Sequence, residues 1–413
     1  MKKSLIFAGL YLSALFVFSH ETINGYKSGP DRAISFPDTE DYLTISSDLH
    51  THSVFSDGHV WPNIRVAEAL KDNLDSIAIT EHLEYQPHTK YIPNIDRNDA
   101  YKEALEAAAD SDLIVISGSE ITREMPPGHL NAVFINDAND LFNLDRTKLP
   151  EAQQLIKQAL GDAELDEDDR VVGEIYALGN LWSPVEALTA AKKQGAFVFW
   201  NHPMWSSQAR DGIAKLSDMH KLFIQNDLMQ GIEIVNTRTY SEEAFRIALD
   251  NNLTLIGTSD VHNLIEWDYD STQEEHRPVT LVLAKERTKE SIREALFDRR
   301  TVVFFKHRLI GKAENLNPLL KSIINITSNG YQSNSEILRI DIENNSSSNM
   351  VLQNLSEVNF ANSDDLIHLP KNGKVSLSVK TLGKKESQLL KFKVLNALTE
   401  PKVHPEIEFL LDI

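Results

Sequence analysis

The sequence predicts an α/β barrel followed by a small all-β sandwich. From about residue 43 to residue 305, short apolar segments alternate with helical segments, which is the pattern of parallel βαβ units. Seven apolar segments of this kind favour a closed barrel over an open sheet. After about Asn315 the helical patterns largely stop, and segments that alternate with period two appear at 338–343 and 375–379.

The predicted elements follow one another in regular order. Helices are expected where proline opens a segment or where helix-forming residues dominate. A further strand at 279–283, a helix at 291–299 and a last strand at 301–305 complete this part of the chain. The seven strands are predicted at 43–49, 76–80, 113–116, 130–135, 196–200, 231–236 and 254–257, and the helices between them at 62–70, 96–109, 184–194, 213–223 and 241–249.

Composition excludes several functional classes. The 413 residues are 41% hydrophobic and 25% charged, which is ordinary for a globular protein, and the formal net charge is −20. A nucleic-acid duplex needs clustered basic residues, so we expect no duplex binding. The chain has no cysteine, which excludes disulfides and thiolate metal ligands.

The first residues have the pattern of a signal peptide. Lys2 and Lys3 precede an apolar core at 5–18, and Val17-Phe18-Ser19 is a plausible cleavage site. We predict a signal peptide at 1–19, a polar leader at 20–41, and export to the periplasm or the extracellular space. The core is short for a membrane helix, so an uncleaved anchor is the weaker alternative and no stable membrane insertion is expected after cleavage.

Histidines and acids recur just past the predicted strands. His50 and His52 alternate along an extended segment, so their side chains lie on one face and can share a metal ion. Chemistry in barrels of this kind sits at the carboxyl ends of the strands. The candidate metal ligands are His50, His52, Asp57, His82, Glu120, His129, His202, Asp260 and His262.

This ligand set predicts more than one metal ion. It contains only nitrogen and oxygen donors, which suits zinc, manganese or iron better than magnesium or calcium. Nine ligands are too many for one ion, whereas two to three divalent ions would leave positions for water and substrate.

The same residues carry a resemblance to a known family. The sequence resembles the PHP family, the polymerase and histidinol phosphatase superfamily, in motifs that keep the family's order over about 42–306. Glu81 stands where the family usually has an aspartate that is not a ligand, so we expect an altered surrounding of the site rather than its loss. The motifs are Asp48-Leu49-His50-Thr51-His52, Ser56-Asp57-Gly58, Ile79-Thr80-Glu81-His82, Gly118-Ser119-Glu120, Gly128-His129, Asn201-His202-Pro203 and Ser259-Asp260-Val261-His262.

The resemblance implies a distorted seven-stranded barrel at 42–312 with a trinuclear site, and it leaves the sandwich at 313–413 as an accessory domain. It also implies hydrolysis of a small phosphate ester by metal-bound hydroxide, with Glu120, Asp260 and His262 as the catalytic candidates. Carried over by position, one ion would be held by His50, His52, Glu120 and Asp260, a second by Glu120, His129 and His202, and a third by Asp57, His82 and His262.

Contacts to the rest of the substrate are less specifically indicated. Arginine suits bidentate contact with phosphate, and Arg123, Arg210 and Arg238 follow predicted strands or lie in long loops, as does Lys306. Trp200, Trp205 and Trp267 flank ligand motifs, where they could stack on a sugar or base or simply pack the end of the barrel.

Three other functions remain open from the sequence. Amidohydrolases also use a barrel and a His-x-His pair, but here no lysine ends a middle strand, and His262 follows Asp260 closely. A non-catalytic barrel is a second possibility, although none of the nine ligands is missing. The third is a secreted binding protein in which the sandwich does the binding.

Overall fold

We analysed a computed structural model that describes residues 32–161, 165–270 and 275–413. The predicted signal peptide and most of the predicted leader lie outside these residues. Within them, the chain forms a curled mixed sheet flanked by helices, followed by two smaller antiparallel sheets. The predicted fold class, a distorted seven-stranded α/β barrel with a C-terminal all-β sandwich, is confirmed. No helix of the described part has the length and apolarity needed to cross a membrane.

Seven strands form the barrel, and each contributes buried apolar side chains to its packing. Their order is β1-β2-β3-β4-β5-β6-β8, and the ends of β8 and β1 meet where Val261 pairs with Thr51. The short strand β7 pairs only with β6. The bounds are β1 (Leu43–Asp48), β2 (Ser76–Ile79), β3 (Ile114–Ile121), β4 (Leu130–Val133), β5 (Phe197–Trp200), β6 (Gly231–Asn236), β7 (Thr239–Tyr240) and β8 (Thr254–Thr258).

One barrel strand departs from the parallel pattern that the sequence analysis expected. Strand β4 runs antiparallel to both β3 and β5. The connection from β3 to β4 is a loop without a crossover helix, so β4 returns in the opposite direction. The beginning of β4 therefore lies at the same end of the barrel as the carboxyl ends of the parallel strands. This reversal brings His129, which precedes β4, to that end.

Helices cover the outside of the barrel, and most agree with the predicted segments. The predicted helix at 213–223 begins later because Ser217 caps it: the Ser217 side chain accepts from the His220 amide. The helices at 149–160, 167–181, 265–268 and 313–323 were not predicted. The bounds are α1 (Pro62–Lys71), α2 (Asp99–Ala107), α3 (Leu149–Leu160), α4 (Glu167–Leu181), α5 (Pro184–Lys193), α6 (Asp218–Gln225), α7 (Glu242–Asp250), α8 (Ile265–Asp268), α9 (Lys289–Phe297) and α10 (Ala313–Ile323).

The barrel sheet continues outwards from β1 through β9 (Val279–Ala284), β10 (Thr301–Phe305) and β11 (Arg308–Gly311). The C-terminal strands are β12 (Ile324–Tyr331), β13 (Ile337–Asn344), β14 (Met350–Asn354), β15 (Asn359–Phe360), β16 (Leu366–Leu369), β17 (Lys374–Lys380), β18 (Ser387–Val394), β19 (Ala397–Leu398) and β20 (Glu406–Asp412). All of them except β19 form two sheets, ordered β12-β13-β17-β15 and β16-β14-β18-β20.

Strand β19 joins the two parts of the protein. It leaves the sandwich and pairs in parallel with β11, with Ala397 opposite Leu309. The Leu309 amide donates to Asn396 O (3.1 Å), and Ala397 is fully buried. The sandwich is therefore hydrogen-bonded into the barrel sheet and shares an apolar cluster with it.

This junction predicts that barrel and sandwich unfold together. A charge at Ala397 would be buried in the shared sheet, so Ala397→Asp should lower a single thermal transition by about 5 °C, measured by circular dichroism. Leu382→Asp is the matched control, because Leu382 is 87% exposed in the sandwich, and it should leave the transition unchanged. Separate melting of the sandwich with an unaltered barrel transition would refute the shared unit.

Candidate metal centre

Two buried histidines follow β1. His50 and His52 are on the same side of an extended segment, and their Nε2 atoms lie 3.0 Å apart. Zinc-like metals bind imidazole nitrogen at about 2.0–2.1 Å, so two nitrogens at this separation can contact one ion.

Barrel closure brings the last motif to these histidines. The Asp260 amide donates to His50 O (3.0 Å), and the His52 amide donates to Val261 O (3.1 Å). As a result, Asp260 Oδ1 lies 3.1 Å from His50 Nε2 and 3.2 Å from His52 Nε2. Asp260 has a φ of 50°, a conformation that costs a non-glycine residue about 1–3 kcal/mol and that clusters at functional sites.

Glu120 lies at the centre of the group, at the end of β3, and its side chain is fully buried. Its Oε1 is 3.0 Å from His129 Nδ1 and 3.4 Å from His202 Nε2. Its Oε2 is 2.7 Å from His82 Nδ1 and 3.5 Å from His52 Nε2. The two oxygens of one carboxylate therefore face two different sets of imidazoles.

Asp57 forms the open side of the group. It lies in a tight turn, where a Cβ on the neighbouring Gly58 would come within 2.8 Å of the His52 backbone. Asp57 Oδ1 is 3.2 Å from His262 Nε2, and Asp57 Oδ2 is 3.5 Å from His82 Nε2. The Asp57 and His262 side chains are 24% and 31% exposed, more than those of the other seven, so solvent reaches the group from this side.

All nine predicted ligands thus come together. They fall into four overlapping groups, in each of which the candidate ligand atoms lie within 4.8 Å of one another. The overlap through His50, His52, His82 and Glu120 makes one continuous cluster. The groups are His52, Asp57, His82 and His262; His50, His52 and Glu120; His50, His202 and Asp260; and His82, Glu120 and His129.

Opposite charges in the cluster shift one another's ionisation. Burial alone would raise the pKa of Glu120, but positive charge on His82 and His129 outweighs it and holds that pKa well below its ordinary value. Burial alone would lower the pKa of His50, but Asp260 and other carboxylates outweigh it and raise that pKa well above the usual range. Protons on imidazoles therefore balance the carboxylates, and a metal ion would compete with those protons.

The residues fit divalent metal ions. Asp57 Oδ1 and Glu120 Oε2 are buried without a hydrogen-bond donor aligned on them. Buried carboxylate oxygens are normally satisfied by donors or by cations. The donor set of imidazole and carboxylate matches zinc, manganese or iron. Together these observations make the cluster a candidate metal centre.

Glu233 is a buried residue of the site that the sequence analysis missed. Its Oε1 lies 2.9 Å from His50 Nδ1, and its Oε2 accepts from the His202 amide (2.6 Å). A carboxylate on the second ring nitrogen fixes the direction in which a ligating histidine points. One signal was available in the sequence, because Glu233 is an acid between two isoleucines in the predicted strand at 231–236.

Other polar side chains hold the carboxylates and rings in place. Asn201 Nδ2 donates to Glu120 Oε1 (2.7 Å), and Asn236 Nδ2 donates to Asp260 Oδ2 (3.2 Å). Glu81, the residue that departs from the family pattern, accepts from the Ser53 amide (3.1 Å) and from the Ser56 hydroxyl. Glu81 belongs to none of the four groups and supports the turn that carries Asp57.

The predicted substrate-binding cations occupy different environments. Arg123 is buried and paired with Glu84, with its Nε and Nη2 lacking hydrogen-bond partners. Arg238 pairs with Glu275 (3.2 Å) and donates to a backbone carbonyl, while Lys306 Nζ donates to Arg238 O (3.3 Å). Arg210 is exposed on the loop that follows His202.

Comparison with known proteins agrees with this architecture. A model of the PHP domain matches residues 48–173, and a model of an Ig-like domain matches residues 324–410. A solved structure from Bacteroides vulgatus is described as a two-domain protein containing a predicted PHP-like metal-dependent phosphoesterase. It is 34% identical, covers 93% of this chain and 100% of its own chain, and superposes with a TM-score of 0.77.

Two further proteins match over shorter regions. A solved structure of a candidate metal-dependent phosphoesterase from Bifidobacterium adolescentis is 22% identical, covering 54% of this chain and 89% of its own, with a TM-score of 0.35. An uncharacterized protein of Methanocaldococcus jannaschii is 42% identical over 82 residues, which are 19% of this chain and 34% of that protein. The match therefore spans about a third of that curated relative.

The position of Glu233 predicts its effect on metal binding. Glu233→Gln keeps the shape but weakens the hold on the His50 ring, so metal affinity should fall about 10- to 100-fold, measured by competition with a chelator of known affinity. Glu286→Gln removes an exposed acid and should leave the affinity unchanged. Equal affinities for both variants would show that Glu233 does not orient a ligand.

Proposed function

The chain belongs to the PHP family, and from this membership we propose that it hydrolyses small phosphate esters with divalent metal ions held by the nine-residue cluster. Its fold is that of a PHP-like metal-dependent phosphoesterase. The observation that carries the proposal is the convergence of all nine candidate ligands at one end of the barrel. The second clue is that the cluster is partly exposed to solvent, most of all at Asp57 and His262.

Three ions would use all nine ligands. The two oxygens of Glu120 support at least two of these ions, since Oε1 faces His129 and His202 while Oε2 faces His82 and His52. The proposed sets are His50, His52, Glu120 and Asp260; Glu120, His129 and His202; and Asp57, His82 and His262. His52 lies 3.8 Å from Asp57, so the first and third sets adjoin each other.

The chain's own residues have separate tasks in this proposal. When bound, the ions would supply a hydroxide nucleophile at neutral pH and neutralise the phosphate oxygens. Glu120 would span two ions and offset part of their mutual repulsion. Glu233 orients His50, and Asn236 orients Asp260. The substrate would enter beside Asp57 and His262, which are partly exposed.

The proposed substrate is a small phosphoester met outside the cytoplasm. Lys2, Lys3 and the apolar segment after them support export, and the net charge of −20 disfavours nucleic-acid duplexes. A small anion can still bind an acidic protein where bound cations supply local positive charge. Arg210, exposed on the loop that follows His202, is our candidate cation for contact with a phosphate group.

The test is an assay of the chain purified without chelator. Phosphomonoesters and phosphodiesters are compared for turnover, and metal content is measured on the same sample by mass spectrometry. We expect two to three metal ions per chain and hydrolysis of at least one ester class. Glu120→Gln should lower kcat/KM at least about 100-fold, because it weakens two proposed ion sites at once.

Glu124→Gln is the matched control for that variant. Glu124 is exposed close by in sequence and accepts a hydrogen bond from Tyr176, which glutamine can also accept (2.8 Å). This control should keep both metal content and turnover. Full metal loading with no turnover of any phosphoester would contradict the proposed function, and absence of bound metal after addition of zinc and manganese would contradict the metal centre.

A further inference from the structure

Trp205 differs from the other two tryptophans that flank ligand motifs. Trp200 is fully buried and stacks on His220 with ring centroids 3.8 Å apart, so it packs the barrel. Trp267 is 71% exposed and has no ring contact with any described histidine of the cluster. Trp205 is 46% exposed, yet its ring lies 5.3 Å from His202 and 5.7 Å from His129, edge to face.

The residues that place His202 also place Trp205. The Trp205 amide donates to His202 O (2.8 Å), and Trp205 O accepts from the Ala209 amide (2.7 Å) in a tight turn. Gln208 anchors this turn, since its Oε1 accepts from Trp200 Nε1 (2.9 Å) and its Nε2 lies 2.9 Å from His202 Nδ1. The indole is thus held beside the cluster by the same turn that holds a proposed metal ligand.

A row of imidazoles extends from Trp205 towards a second aromatic ring. The centroids of His202 and His129 are 5.0 Å apart, and those of His129 and His82 are 5.6 Å apart. Tyr85 then lies 6.0 Å from His82 and is 38% exposed. The phosphate-binding cluster therefore has a partly exposed aromatic ring at each end of this row.

From this arrangement we infer that Trp205 is a specificity-determining residue that selects phosphate esters whose alcohol carries a planar aromatic ring. The inference rests on the proposed phosphoesterase function and names its substrate class. Phosphorus must lie at the cluster, so the organic group of the ester has to extend past the imidazoles. A planar group that extends past His129 and His202 covers the indole, and stacking on an aromatic ring adds affinity beyond that of burial alone.

The test compares two small esters and two unreactive analogues on the metal-loaded full chain. Turnover is measured with phenyl phosphate and glycerol phosphate, and binding with phenylphosphonate and methylphosphonate by calorimetry. For Trp205→Ala we expect KM for phenyl phosphate and Kd for phenylphosphonate to rise about 10-fold. Neither value should change for glycerol phosphate or methylphosphonate, and kcat should change little.

Two further variants separate recognition from a structural role. Trp205→Phe keeps a ring and should retain most of the preference for the phenyl compounds. Trp267→Ala removes a tryptophan that does not contact the cluster and should alter none of the values. An equal rise for phenyl and alkyl compounds in Trp205→Ala, or no rise for either, would overturn the inference. If the wild type turned over neither monoester, the wider panel of monoesters and diesters would still decide the proposed function, and the ratio of the two phosphonate affinities would decide the role of Trp205.

Discussion

The hydrogen-bonded contact between the ends of β1 and β8 is the constraint on which the metal centre depends. This contact places His50 and His52 next to Asp260. A buried network of charged and polar side chains stabilises the contact. Asp48 accepts from the Ser259 hydroxyl (2.5 Å) and from Arg277 (3.2 Å), all within the protein interior. Because burial raises the pKa of Asp48, these donors are needed to keep its carboxylate charged. The last motif is therefore tied to the first strand twice, by backbone and by side chains.

The negative charge of the buried carboxylates explains why this site favours metal ions. Several carboxylates and six histidines are packed at the end of one barrel in a chain whose net charge is −20. Burying carboxylates is expensive unless cations or donors compensate them. Imidazole protons can do this in part, which is why the pKa of His82 lies well above its ordinary value despite the burial that would lower it. Divalent ions would do it more fully, and they would also satisfy Asp57 Oδ1 and Glu120 Oε2, on which no hydrogen-bond donor is aligned.

The sequence predicted those features that follow from local patterns. Period-two alternation predicted that His50 and His52 lie on one face. The ends of the predicted strands predicted where the other metal ligands lie. The sequence could not give the direction of β4. Why His129 joins the cluster was therefore explained only by the antiparallel pairing of β4 with β3 and β5. Glu233 was missed because its partner His50 lies far away in the chain, and α10 was missed because Pro318 interrupts its helical pattern. The three tryptophans could not be ranked either, since their exposure depends on packing across the barrel end.

The most direct test of the account is anomalous X-ray diffraction from crystals grown without chelator. The central claim is that one cluster, at the barrel end where the parallel strands have their carboxyl ends, binds several divalent ions. We predict two to three anomalous peaks among the nine candidate ligands, with Glu120 contacting two of them. Protein–metal distances of about 2.0–2.3 Å would identify the ligands. Crystals soaked with zinc or manganese that show no peak in the cluster, or peaks only on the exposed surface, would contradict the claim.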